Sequence, residues 1–148
     1  MSLFRQQSFL FLSWALLVLA AAEEVSQPGF VGGWRDRSVS DPEVMKAAAF
    51  AVQAYNEASN SRMYFKGQRI LEAKSQVVAG IKYFLTVEMV STMCEKKGGS
   101  GLEKVDLDHC KMPPEGEQKK QVCNFQVWSR PWLQDTQLLH MSCSEMTS

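Results

Sequence analysis

Two histidines, four cysteines and a scatter of carboxylates are the side chains from which this chain would have to build a reactive centre. A nucleophilic thiol needs a base beside it, and the candidate bases are His109 and His140. Cys94, Cys110, Cys123 and Cys143 all lie in the C-terminal half, and only His109 adjoins one of them. No two cysteines stand at a CxxC-like interval, so the spacing excludes a zinc site. Asp106 and Asp108 beside His109 form the tightest acidic cluster, yet no fourth ligand is at hand and the spacing matches no standard metal loop. That cluster reads as a solvated loop. Alternation along the last strand turns His140 outward, as a surface residue. No catalytic residue, no metal and no cofactor is therefore expected.

What does stand out is three apolar segments beside glycine or proline, where a soluble chain usually places polar groups. They are Phe30, Val31, Gly32 and Gly33; Gln76, Val77, Val78, Ala79 and Gly80; and Pro131, Trp132 and Leu133. In an antiparallel meander, turns two connections apart can lie at the same end of the sheet, which would gather these segments into one apolar edge. A tryptophan held by a preceding proline is a rigid anchor with a large contact area and little entropy to lose on binding. Pattern alone also allows Gln76 to Gly80 to continue a strand, and Trp132 to fold back on the core.

The elements that must position these residues follow from the periodicity. Ser40, Asp41, Pro42 and Glu43 start a helix, with a capping side chain, a proline in the first turn and an acidic group at the positive end of the dipole. It should run to about Ala58, with Val44, Ala47, Ala48, Ala51, Tyr55 and Ala58 in one stripe. The alanines predict close packing on a sheet. Met63 to Ser75 is β-like and leads through Gln76–Gly80 into a hairpin. From Ile81 to Val90, Ile81, Tyr83, Leu85, Val87 and Met89 take one face, with Lys82, Thr86 and Glu88 on the other. Lys96–Gly101 and Lys111–Lys120 read as loops. Gln121–Ser129 and Thr136–Ser144 are further strands joined by a turn from Arg130 to Asp135, with Cys123, Phe125 and Val127 facing Leu139, Met141 and Cys143. The result is an α+β domain, an antiparallel sheet of four to five strands wrapped around one long helix. The fifth strand would come from the N-terminal arm. Strand and helix do not alternate, and no glycine-rich phosphate loop is present, which excludes a nucleotide-binding sheet.

Ahead of this domain, Arg5 precedes an apolar run from Phe9 to Ala22 that ends in small residues. That is the pattern of a signal peptide, too short to span a membrane comfortably, with cleavage expected after Ala22. Residues 1–22 are then the leader, and 23–148 a single secreted domain of about 126 residues. From Glu23 to Ser40, few core-type residues among Pro28, Gly29, Gly32 and Gly33 predict an extended arm. The whole chain carries 16 basic and 16 acidic residues, which gives no reason to expect nucleic acid or a membrane surface as partner. An even cysteine count in an exported chain implies two disulfides. Of three possible pairings, the sequential one, Cys94 with Cys110 and Cys123 with Cys143, is favoured. It closes loops of about 15 to 20 residues, each contributing about 3 kcal/mol in the chain-entropy model.

Taken in order, the glycine of Phe30-Val31-Gly32, the Gln-x-Val-x-Gly of Gln76, Val78 and Gly80, the pair Pro131-Trp132 and the four late cysteines resemble the secreted single-domain cystatins. The resemblance covers nearly the whole mature chain. It implies the cystatin fold and a monomeric inhibitor of papain-like cysteine proteases (cathepsins), which blocks the cleft without covalent chemistry. Phe30 and Val31 would fill apolar non-primed subsites, with Gly32 turning the arm away from the catalytic thiol. Gln76, Val77, Val78, Ala79 and Gly80 would press near the catalytic centre, and Pro131 and Trp132 would cover the primed side. The run from Gly80 to Met89 and the loop Ser59-Asn60-Ser61 are similar to the E/M branch, which implies a second site where Asn60 enters legumain, a protease that cleaves after asparagine. The loop between Cys94 and Cys110 carries extra residues relative to most of the family. A cystatin-fold module with a non-protease partner is the alternative function class.

Overall fold

A computed structural model describes residues 33–97 and 105–146 of the 148-residue chain. The expected leader, the start of the arm with Phe30, Val31 and Gly32, and part of the loop after Lys96 lie outside the described residues.

The helix, α1, spans Pro42–Ala58. Asp41 caps it by accepting from the Glu43 amide at 2.9 Å, and Pro42 sits where no intrahelical donor is needed. Val44, Ala47, Ala48, Ala51, Val52, Tyr55 and Asn56 are buried along one side. Ala58, expected at the end of this stripe, is exposed in the last turn, while Val52 and Asn56 widen the stripe. Close packing on the sheet is visible at Gly67, where a Cβ would come within 3.2 Å of the Val52 Cγ2 atom. Asn56 adds directional ties. Its side-chain amide donates to the Phe65 carbonyl at 2.8 Å and accepts from the Phe65 amide at 2.9 Å, so a helical residue acts as a strand partner.

Five strands follow one another in an antiparallel sheet: β1 Arg35–Asp36, β2 Met63–Val78, β3 Gly80–Glu95, β4 Lys120–Arg130 and β5 Asp135–Glu145. The arm thus supplies the fifth strand, a short one that pairs Arg35 with Ser75. Tyr83, Leu85, Val87 and Met89 on β3 and Cys123, Phe125 and Val127 on β4 are buried with the helix stripe, and these form the core. Leu85 and Phe125 are fully buried, each contributing about 1.5–3 kcal/mol through removal from water.

The structure amends three further expectations. β2 runs on to Val78, and the chain reverses at Ala79 alone, with Val78 and Gly80 facing each other. Gln76 to Val78 therefore belong to the strand, and the turn is tighter than their composition indicates. Glu88, expected on the solvent side, is buried together with Val90 and Thr92 at alternate positions, so this end of β3 is covered on both faces. There the Met93 amide donates to Lys111 and the Ser91 amide to Lys119, both at 2.9 Å, and Arg69 meets the Glu88 carboxylate at 2.6 Å. On β5 the register slips opposite Gln126 and Val127. Cys143 and Met141 face Cys123 and Phe125, but Leu138 takes the place opposite Val127, and Leu139 is an exposed bulge residue.

Disulfides join Cys94 to Cys110 and Cys123 to Cys143, and no free cysteine remains among the described residues. The first anchors the loop against β3; the second ties the β4–β5 ladder.

Candidate functional site

Strand register decides which loops share an end. Ile81, one residue past Gly80, pairs with Ser129, and Arg130 pairs with Asp135. The Ala79 tip and the turn carrying Pro131 and Trp132 therefore lie side by side. β1 approaches the same end, since Ser75, the partner of Arg35, is three residues before Val78. Gly33 and Trp34 lead into it, and the Trp34 ring meets Phe84 edge-on at 5.8 Å. Arg37 fixes the arm's exit by donating to Ser75 Oγ at 3.1 Å and Asp41 Oδ2 at 2.6 Å. The bond to Arg37 holds the Asp41 carboxyl below its ordinary range and raises the guanidinium's own value.

The surface of this end is apolar and open. Val77 is 63% exposed, Trp132 63% and Leu133 55%, fractions high enough to show that Trp132 does not fold back on the core. Pro131–Leu133 form one 3-10 turn, closed by Gln134 in the left-handed region at φ 50°. Gly80 is needed at the other turn. Its φ is 95°, and a Cβ there would run into the Ser129 carbonyl oxygen.

Sequence reading missed the residues behind this surface. Trp128 Nε1 donates to the Ala79 carbonyl at 2.8 Å, the Arg130 guanidinium lies over the Trp128 ring at 4.1 Å, and Arg130 Nε donates to Asp135 Oδ2 at 3.0 Å. Asp135 also accepts from Gln137 at 3.0 Å and is held below its ordinary range, chiefly by Arg130. The one available signal was a tryptophan and an arginine crowded just before Pro131.

Asn60 stands apart, exposed in the loop between α1 and β2. β2 separates it from the Ala79 tip by up to about 50 Å of strand at ~3.3 Å per residue. Its loop is tied to the end of β3: Lys96 Nζ donates to the Ser59 carbonyl at 2.9 Å, and the Lys96 amide to Arg62 at 2.7 Å. Burial lowers the Lys96 pKa. Within the loop, Ser59 Oγ accepts from the Ser61 amide at 3.1 Å.

Reactive groups are not brought together. His109 bonds Asp106 in an exposed turn, which pulls the Asp106 carboxyl down, and His140 is exposed on β5. Among the described residues no three potential ligands converge on a metal position. The chemistry on offer at the Ala79–Trp132 edge is contact: apolar side chains, backbone and exclusion of water.

Known proteins agree on what such a scaffold is. The Cystatin domain family model matches residues 32–132. A cystatin of Naja kaouthia is 50% identical over 130 residues, covering 88% of this chain and 89% of the relative. One of Pseudonaja textilis is 48% identical over 130 residues with the same coverage. Among solved structures, dimeric human cystatin F superposes with a TM-score of 0.71 at 29% identity, over 82% of this chain and 94% of that one. With the fold, the motif order and these relatives in agreement, the chain belongs to the cystatin family, and it is an inhibitor of cysteine proteases and not an enzyme.

Proposed function

We infer that the protein is a secreted, reversible, tight-binding inhibitor of papain-like cysteine proteases of the cathepsin type, with a separate site for legumain. The observation that carries the first part is the pair of adjoining turns at one sheet end, exposing Val77, Ala79, Trp132 and Leu133 together. A wedge of this kind fills a cleft. Val77, Val78 and Ala79, with the Gly80 turn, press small side chains and backbone against the catalytic centre, with Gln76 behind them in the strand. Trp132, preset by Pro131, covers the primed side as a hot spot contributing about 2 kcal/mol or more. Phe30 and Val31 extend into non-primed subsites, and Gly32 lets the arm turn aside. No bond to the catalytic thiol forms.

The legumain site rests on Asn60, an exposed asparagine in a short loop pinned by Lys96 and offered like a substrate side chain. Residues 1–22 are the signal peptide and 23–148 the mature monomer. The apolar run of the leader and the two disulfides support export.

The test is a pair of inhibition curves with the oxidised mature protein, one against papain and one against legumain. Near-stoichiometric loss of papain activity is expected, with legumain inhibited independently. Papain activity that persists in large inhibitor excess refutes the wedge; persistent legumain activity removes the second site alone.

A further inference from the structure

The geometry points to Trp128 and Arg130 as positioning residues for protease binding: a strut that locks the Ala79 tip and the Trp132 turn into one rigid edge. The inference rests on the wedge reading above.

The two turns belong to different hairpins. Ala79 joins β2 to β3, and Pro131–Leu133 joins β4 to β5, so the backbone ladder holds each turn in place only through its own strands. Ladder bonds between β3 and β4 begin at Ile81 and Ser129, and both tips project beyond them. Three side-chain contacts bridge that gap. The Trp128 indole N–H reaches Ala79 O, the last carbonyl before the reversal. The Arg130 guanidinium lies over the indole within cation–π range. Its guanidinium then meets Asp135 across the turn that carries Trp132. The chain of contact thus runs from the first tip to the base of the second without a break.

Gly80 completes the fit. Its missing side chain leaves room for Trp128 Nε1 and Arg130 Cγ, which stand 3.2 and 3.0 Å from where a Cβ would be. Two loops that wandered independently would each lose freedom on entering a cleft, whereas a braced pair has lost it already. The strut therefore acts on affinity through order at the tips and touches no protease atom itself.

The experiment compares the full mature protein with Trp128→Phe, Arg130→Met, Trp132→Ala and the Trp128→Phe/Trp132→Ala double variant. The readouts are the inhibition constant for papain and the thermal midpoint. Trp128→Phe keeps an aromatic ring beneath Arg130 and removes the donor together with part of the ring area. We expect about tenfold weaker inhibition for Trp128→Phe and for Arg130→Met. The midpoint of Trp128→Phe should change little, that of Arg130→Met should fall modestly with loss of the pair to Asp135, and the double variant should lose less than the product of the single losses, because the donor's purpose is to place Trp132 relative to Ala79. A Trp128→Phe protein that inhibits as the parent does, whether or not it melts lower, overturns the strut, as do losses that multiply independently. If Trp132→Ala also inhibits like the parent, the wedge reading has fallen and takes the strut with it. A loss in Trp132→Ala with Trp128→Phe unaffected removes the strut alone.

Discussion

The two ends of the sheet are built on opposite plans. At the Ala79 end, two tight turns are braced against each other by Trp128, Arg130 and Asp135, and the exposed side chains are apolar. At the Asn60 end, one loop is tied to its own helix and to Lys96, and it exposes the polar side chains of Asn60 and Arg62. A broad edge of several contacts must keep its shape to fit a cleft. One side chain presented to a specificity pocket needs only its backbone held. Rigidity is spent where many groups must arrive together.

The comparison can be broken most sharply at Asn60. Asn60→Ala should abolish legumain inhibition and leave the papain curve unchanged; a shift in both curves would mean that the ends are not independent. Gly80→Ala comes next. The forced positive φ and the collision with Ser129 should cost about 1–3 kcal/mol of stability by chemical denaturation. They should weaken papain inhibition at least tenfold, with legumain inhibition intact. A smaller effect is expected from Lys96→Met, which keeps the aliphatic stem and removes the donor to Ser59. Legumain inhibition should fall about fivefold, in line with loss of one hydrogen bond, and papain inhibition should not move.

The finest distinction is in pH. Arg130 depresses the Asp135 pKa in the folded protein. Its contribution to stability is therefore whole above the ordinary aspartate value of about 3.9 and is lost as pH falls through the lower, folded value. Thermal midpoints of the parent and Asp135→Asn should stay a constant interval apart from neutrality down to about pH 5, then converge below the ordinary aspartate range. A gap that persists in strong acid would show that Asp135 acts through packing and not through its charge.

How much of this was legible depends on distance along the chain. Helix α1 and strands β3 and β4 declare themselves through local periodicity, since Val44, Ala47, Ala51 and Tyr55 repeat at helical spacing and Tyr83, Leu85 and Val87 alternate. The three apolar segments could be singled out because each breaks a local rule about loops. The contact of Trp128 with Ala79 could not, because the two lie 49 residues apart and meet only through the registers of β3 with β2 and β4. Asn56 was silent for a related reason: a polar residue inside an apolar stripe declares itself only when the strand edge it serves is known. Glu88 alternated correctly with its neighbours, but β3 is buried on both faces from Val87 to Thr92, which alternation cannot show.

The bulge at Leu139 bears on what the molecule avoids. β5 is the outermost strand of the sheet, 11 residues long, and a straight ribbon of that kind is a template on which a further chain can add. The extra residue bends the strand near its middle and breaks the even spacing of its outward-facing amides and carbonyls. A newcomer could match one half of β5 but would be out of step with the other. A single inserted leucine thus works against further growth of the sheet at its free margin.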